Sequence, residues 1–273
     1  MRRSSIYYWL GNATLFGFVA LIFSGVPLPP REWIVPSIAH GTPTQEMLAL
    51  SPSWETRENG RQYAFTPHAS YEIEGLVVSL HHSDSIIDVT HENDSANTMD
   101  ICVVWGPNIS TNGYRMVSYD HGDFTCFYRW ESEYDPPFSE EFLSNNHLIP
   151  STPEIAALIK TIHVGDQVRF RGTLVDYAIT GENGESLGQR RTSLTRSDRG
   201  NGACEILYLT EVEILVRHMP WRTPALYGLL LITFLGYIGG FVASMPKKIR
   251  SEPPKNTHHE NPFNPKNFTK HRK

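Results

Sequence analysis

HVGDQVRFRGTLVDY at residues 163–177 and SLTRSDRGNGACEILYLTEVEILV at residues 193–216 are the stretches whose reading decides the fold. In the first, Val168, Phe170 and Leu174 alternate with Arg169, Arg171 and Thr173. In the second, Ile206, Tyr208, Val212 and Ile214 alternate with Glu211 and Glu213. A period of two places apolar side chains on one face of a strand, so both stretches are expected as long strands. Gly165 and Asp166 turn the chain into the first, and an Arg-, Asp- and Gly-rich loop joins the two.

Immediately upstream, Ser151 and Glu154 form a capping-box pattern, Pro153 sits in the first turn, and Ile155, Leu158, Ile159 and Ile162 recur at helical spacing. One short amphipathic helix is expected there. Further back, Tyr71–Leu80 and Ile101–Trp105 read as strands, and the aromatic runs Tyr114–Tyr119 and Phe124–Trp130, split by DHGD, as a third strand or a hairpin. Residues 131–150 read as an irregular connection. The order strand, strand, strand, helix, strand, strand predicts a mainly β (α+β) domain over residues 71–216, an OB-like small β-barrel with one helix.

Two transmembrane helices are expected to flank it. Residues 6–26 and 225–245 contain no Asp, Glu, Lys, Arg or His, and a helix of that length rises about 30 Å, enough to cross a bilayer core. The first follows Arg2 and Arg3, but its exit SGVPLPP lacks the small-residue cleavage pattern, favouring an uncleaved anchor over a signal peptide. The tail, residues 246–273, holds eight Lys and Arg against Glu252 and Glu260 and is too polar to build a core. Basic residues stay on the cytoplasmic side. The expected arrangement is therefore a cytoplasmic N-terminus (1–5), a span (6–26), a Pro/Ser/Thr-rich stalk (27–70), a periplasmic domain (71–216), a juxtamembrane segment (217–224), a second span (225–245) and a cytoplasmic tail (246–273). Glycines 236 and 240 at GxxxG spacing suit close packing of the second span on a neighbouring helix.

Between the spans the chain carries 14 Lys plus Arg against 27 Asp plus Glu. So acidic a domain is a poor match for phosphate-tracking surfaces, and no nucleic-acid partner is expected. The membrane is the expected partner, with an envelope protein as a possible second.

Chemistry-bearing residues concentrate in three places. The loop HHSDSIIDVTHENDS offers His81, His82, Asp84, Asp88 and His91, residue types suited to a transition metal, without a recognised metalloprotease pattern. SNNHLIP offers His147, an imidazole able to act as a general base where a nucleophile or water lies within reach. SLTRSDRGNGACE, with Arg190 and Arg191 just before it, concentrates Arg196, Asp198, Arg199 and Glu205, either an anion-binding set or an internal ion network. His147, Arg196, Asp198, Arg199 and Glu205 are the candidate binding residues; no metal and no cofactor are assigned. Of Cys102, Cys126 and Cys204, the pair Cys126–Cys204 is expected as a disulfide if the third and last strands become neighbours, with free buried thiols as the alternative.

The run VVWGPN, SNNHLIP, VGDQVRFRGTLVDY and SLTRSDRGNGACEI resembles that of a family of uncharacterised bacterial membrane-anchored or exported proteins, over roughly residues 71–216. The resemblance implies a bacterial envelope setting and identifies no site. The reading that follows is a non-catalytic periplasmic binding or assembly module at the inner membrane. Its alternative is an envelope hydrolase or metal-dependent enzyme, using His147 with the Arg196/Asp198 loop or the His81–His91 loop.

Overall fold

A computed structural model describes residues 3–83, 94–130, 137–195 and 204–245. The chain divides into two units, residues 1–20 with 227–273 and residues 21–226.

The first unit is a helix pair, formed by most of α1 (Arg3–Phe23) and of the last helix, Arg222–Ser244. Both are long and apolar enough to cross a membrane. They approach closely at glycine: a Cβ on Gly236 would lie 2.9 Å from the Gly11 backbone nitrogen. Thr14 and Thr233 share a hydroxyl hydrogen bond of 2.8 Å, and the Tyr237 hydroxyl donates to Asn12 Oδ1 at 2.6 Å. Small residues admit the neighbouring backbone and polar side chains bond across it, the pattern by which helices associate in an apolar medium.

The second unit is mainly β. Its elements in chain order are α2 (Pro36–His40), β1 (Thr44–Met47), β2 (Trp54–Glu58), β3 (Arg61–His82), β4 (Met99–Val104), α3 (Pro107–Ser110), β5 (Val117–Gly122), β6 (Thr125–Trp130), β7 (Leu143–Pro150), α4 (Pro153–Ile159), β8 (Gln167–Thr180), β9 (Ser186–Arg190) and β10 (Glu205–Val216), leading into α5 (Arg222–Ser244). Five strands close a ring: β3 pairs β4, β4 pairs β7, β7 pairs β10, β10 pairs β8, and β8 returns to β3. Every pairing in the ring is antiparallel except β7 with β10. The 22-residue β3 makes closure possible, pairing β8 along its first part and β4 along its last, with register shifts at Pro67/Ala69 and Val77/Ser79. Such irregularities bend a strand.

Inside the ring lie Ile73, Val77, Ile101, Val103, Leu148, Phe170, Leu174, Leu207 and Leu209, all essentially without solvent contact. Each such side chain contributes about 1.5–3 kcal/mol of apolar burial. A second cluster of Tyr63, Phe65, Tyr177 and Ile206 is flanked by Trp54 and Tyr208. On the solvent side, the predicted alternation of β8 and β10 becomes a charge ladder: Arg169 Nε donates to Glu74 at 2.6 Å and Arg171 Nη1 to Glu211 at 3.0 Å. Opposite charges across paired strands stabilise the register.

Three expectations are corrected. Residues 27–70 are not a stalk: β1 and β2 join the sheet, Ile38 is fully buried, and Gln167 holds the segment by accepting from Val35 N at 2.7 Å and donating to Trp33 O at 2.8 Å. Its prolines interrupt regular elements without preventing burial. The third ring strand is β7, within the span read as an irregular connection. The aromatic runs take the hairpin alternative and form a separate two-stranded sheet, β5–β6. SNNHLIP gave no apolar alternation because its polar residues are buried among hydrogen-bonding partners. Finally, Thr152 rather than Ser151 caps α4, its Oγ1 accepting from Ile155 N at 3.3 Å.

Candidate functional site

Across the outer face of the ring the register sets up two rows. His81 on β3 pairs with Asp100 on β4, which pairs with His147 on β7. One step along, Ser79 pairs with Cys102 and Cys102 with Asn145; Cys204 stands just before Glu205, the partner of Asn146 on β10. Since side chains alternate along strands, Asn146 and Glu205 face one way, and His81, Asp100, His147, Ser79, Cys102, Asn145 and Cys204 all face the other. Over them lies the β5–β6 hairpin.

The centre of the rows is His147. Its Nδ1 lies 2.5 Å from Asp100 Oδ1, and Cys204 is near enough to add to the electrostatic stabilisation of its charged form. Asp100 is wholly buried and His147 is 6% exposed, whereas Cys204 is partly exposed. Burial by itself would lower the His147 pKa; the hydrogen bond to Asp100 and the electrostatic influence of Asp100 and Cys204 outweigh it and raise the group to about 10. Asp100 is held in turn by Asn97 Nδ2 at 2.8 Å and by the Phe124 backbone N–H at 3.0 Å. Asn145 Nδ2 donates to the Phe124 carbonyl at 3.0 Å and to Cys204 Sγ at 3.5 Å. A thiol, an imidazole and a carboxylate in series, with an amide donor beside the sulfur, are the components of nucleophilic cysteine chemistry.

Phe124 closes the site from the hairpin turn. Its ring meets the His147 ring edge-on at 5.7 Å, and the Arg190 guanidinium stacks on it at 3.7 Å. Arg190 Nε donates to buried Asp94 at 3.1 Å, and the Tyr177 hydroxyl donates to the same carboxylate. Burial, then the Asp94 charge, push the Tyr177 pKa upward. Further along the hairpin, His121 Nδ1 lies 3.1 Å from Ser79 Oγ, and burial depresses the His121 pKa to about 4.

No family model, curated protein or solved structure matches this chain.

The sequence-selected residues divide sharply. His147 and Cys204 meet, so the SNNHLIP and GACE segments form one site. Glu205 lies on the opposite face of β10, buried, accepting a hydrogen bond from the Ser144 hydroxyl. Arg196, Asp198 and Arg199 fall outside the described residues, as do Asp84, Asp88 and His91. No group of three or more metal-ligating side chains occurs among the described residues.

The expected Cys126–Cys204 disulfide is replaced by Cys102–Cys126, with Cys204 free. The reason is topological: β6 lies over β4, bringing the Cα atoms of Cys102 and Cys126 to 6.0 Å, while β10 lies beyond β7. Asp100 was not singled out from sequence. Its signal was a lone carboxylate within the apolar run MDICVVW, where an unpaired charge is strongly disfavoured.

Proposed function

We propose that this chain is a membrane-anchored thiol enzyme that cleaves an activated acyl group, an ester or thioester, with Cys204 as nucleophile. The observation carrying this reading is that His147 is held by buried Asp100 while the neighbouring Asn145 on the same strand donates to Cys204 Sγ, which places thiol, imidazole and carboxylate side by side on one face. Sγ attacks the carbonyl carbon; the S–C bond forms and the bond to the leaving group breaks. The thiol proton passes to His147 during attack, Asp100 favouring the charged imidazole that results, and from there to the leaving group. Water then attacks the acyl–sulfur bond, His147 taking one of its protons, and regenerates the thiol. Asn145 Nδ2 is the donor nearest the developing oxyanion.

The scaffold of the proposal is an OB-like barrel. Its support is the ring of five strands with one parallel pair and a helix, α4, between the third and fourth. The proposed address is the bacterial inner membrane, both termini cytoplasmic and the β domain periplasmic, which rests on the basic tail and on the envelope setting implied by the resemblance. The strand order also favours a second reading, a non-catalytic binding or assembly module for an envelope partner.

Burst kinetics with p-nitrophenyl acetate separate the two. The enzyme reading expects about one nitrophenolate per chain in the burst, absent in Cys204→Ser and slowed at least tenfold in His147→Ala. Equal kinetics in all three chains would leave the binding module. A C-terminal reporter fusion found outside the cytoplasm would overturn the orientation.

A further inference from the structure

The β5–β6 hairpin is not hydrogen-bonded into the ring sheet; it forms its own two-stranded sheet. An isolated hairpin of this size is marginally stable and needs a tether. Cys102–Cys126 supplies one, joining β6 to β4 two residues from Asp100. Weaker contacts add to it: Ser79 with His121, and His81 Nε2 with Asp123 at 3.4 Å.

At the hairpin turn, Phe124 has φ +59°. Bulky residues seldom adopt this left-handed conformation, and where they do, surrounding contacts hold them. Here the contacts belong to the Cys204 site. The Phe124 N–H donates to Asp100 Oδ2, its carbonyl accepts from Asn145, and its ring packs on His147. One strained residue thus touches the carboxylate, the amide and the imidazole together.

We infer that the hairpin is a redox-controlled clamp in which the Cys102–Cys126 disulfide seats Phe124 as a positioning residue for the Asp100–His147–Cys204 series. This rests on the thiol-enzyme reading above and adds its regulation. Closing the disulfide removes two electrons and two protons from the two thiols, accepted by a disulfide of the surrounding thiol pool. The site is therefore assembled where disulfides persist and loose where thiols stay reduced. A chain newly made in a reducing compartment would carry Cys204 without its organised partners.

The test is the rate of Cys204 alkylation by iodoacetamide in the full-length, detergent-solubilised chain at neutral pH. Against the wild type, Cys102→Ser/Cys126→Ser is expected to react at least tenfold more slowly. Phe124→Gly, which keeps the disulfide and tolerates the positive φ, is expected to slow at least threefold, with Phe124→Tyr restoring the rate. The decisive readout is coupling: His147→Ala slows the disulfide-bonded chain about tenfold but changes the disulfide-free chain less than twofold. Additive effects would mean that the disulfide acts on stability alone and would overturn the clamp. So would an undiminished rate in both hairpin variants. If His147→Ala has no effect in the disulfide-bonded chain, the thiol-enzyme reading itself fails; if it slows that chain while the hairpin variants do not, only the clamp fails.

Discussion

Asp100 Oδ1 and His147 Nδ1 lie 2.5 Å apart at directly paired positions of two antiparallel strands, with Asp100 sealed from solvent. A buried charged pair is sensitive to the loss of either member, because the survivor keeps its desolvation penalty without its partner.

Asp100→Asn should therefore destabilise the β domain by about 3 kcal/mol. The pair should also make stability depend on pH. His147 is raised above its unfolded value, so its contribution is fully present below about pH 6.5 and fades as pH rises through about 10. Urea titrations of the wild type and His147→Gln between pH 6 and 10 check this: their stabilities should converge at the alkaline end.

His121 carries the opposite dependence. Burial holds its pKa near 4 in the folded chain, with Asp100 and Asp120 opposing the effect and His81 and His147 reinforcing it. The unfolded chain binds a proton near pH 6.5 and the folded one does not until about 4, so acid favours unfolding between those values. The loss approaches about 3 kcal/mol. His121→Gln should flatten the acid limb of a stability–pH curve; an unchanged limb would count against a buried neutral imidazole.

Denaturing the nonreduced chain and titrating with a thiol reagent should count one thiol, Cys204. The disulfide closes a loop of sequence separation 24. Chain entropy assigns such a loop about 3 kcal/mol. Cys102→Ser/Cys126→Ser should lower the midpoint of chemical unfolding correspondingly.

The helix pair can be tested by substituting Gly236 with Leu, whose side chain would enter the Gly11 backbone. Cysteines placed at Thr14 and Thr233, whose hydroxyls lie 2.8 Å apart, should crosslink within one chain. The crosslink should fall at least tenfold when Gly236→Leu is added.

Much of the scaffold was legible before folding. The alternation in 168–177 and 204–216 marked β8 and β10, the i, i+3, i+4 apolar spacing marked α4, and the charge-free runs marked α1 and α5. Each is a local pattern imposed by the period of one element against one environment. β7 escaped because its polar residues are buried against segments distant in sequence, Ser144 bonding to Glu205 and His147 to Asp100. The segment 27–70 escaped because Gln167, which holds it, lies more than a hundred residues away. Of the site, His147 stands out in the sequence as a candidate general base, but the pattern pairs it with the loop of Arg196 and Asp198 and names no nucleophile. Cys204 was read as half of a disulfide.

Sequence alone determined that a mainly β domain lies between two apolar helices, since hydrophobic periodicity and the absence of charge are properties of contiguous residues. Only the tertiary structure decided that Asp100, His147 and Cys204 converge and that Cys126 bonds to Cys102. Both outcomes follow from strand order and register. A parallel β7–β10 pairing beside an antiparallel β4–β7 pairing brings together residues as far apart as 100 and 204, and no local pattern encodes that neighbourhood.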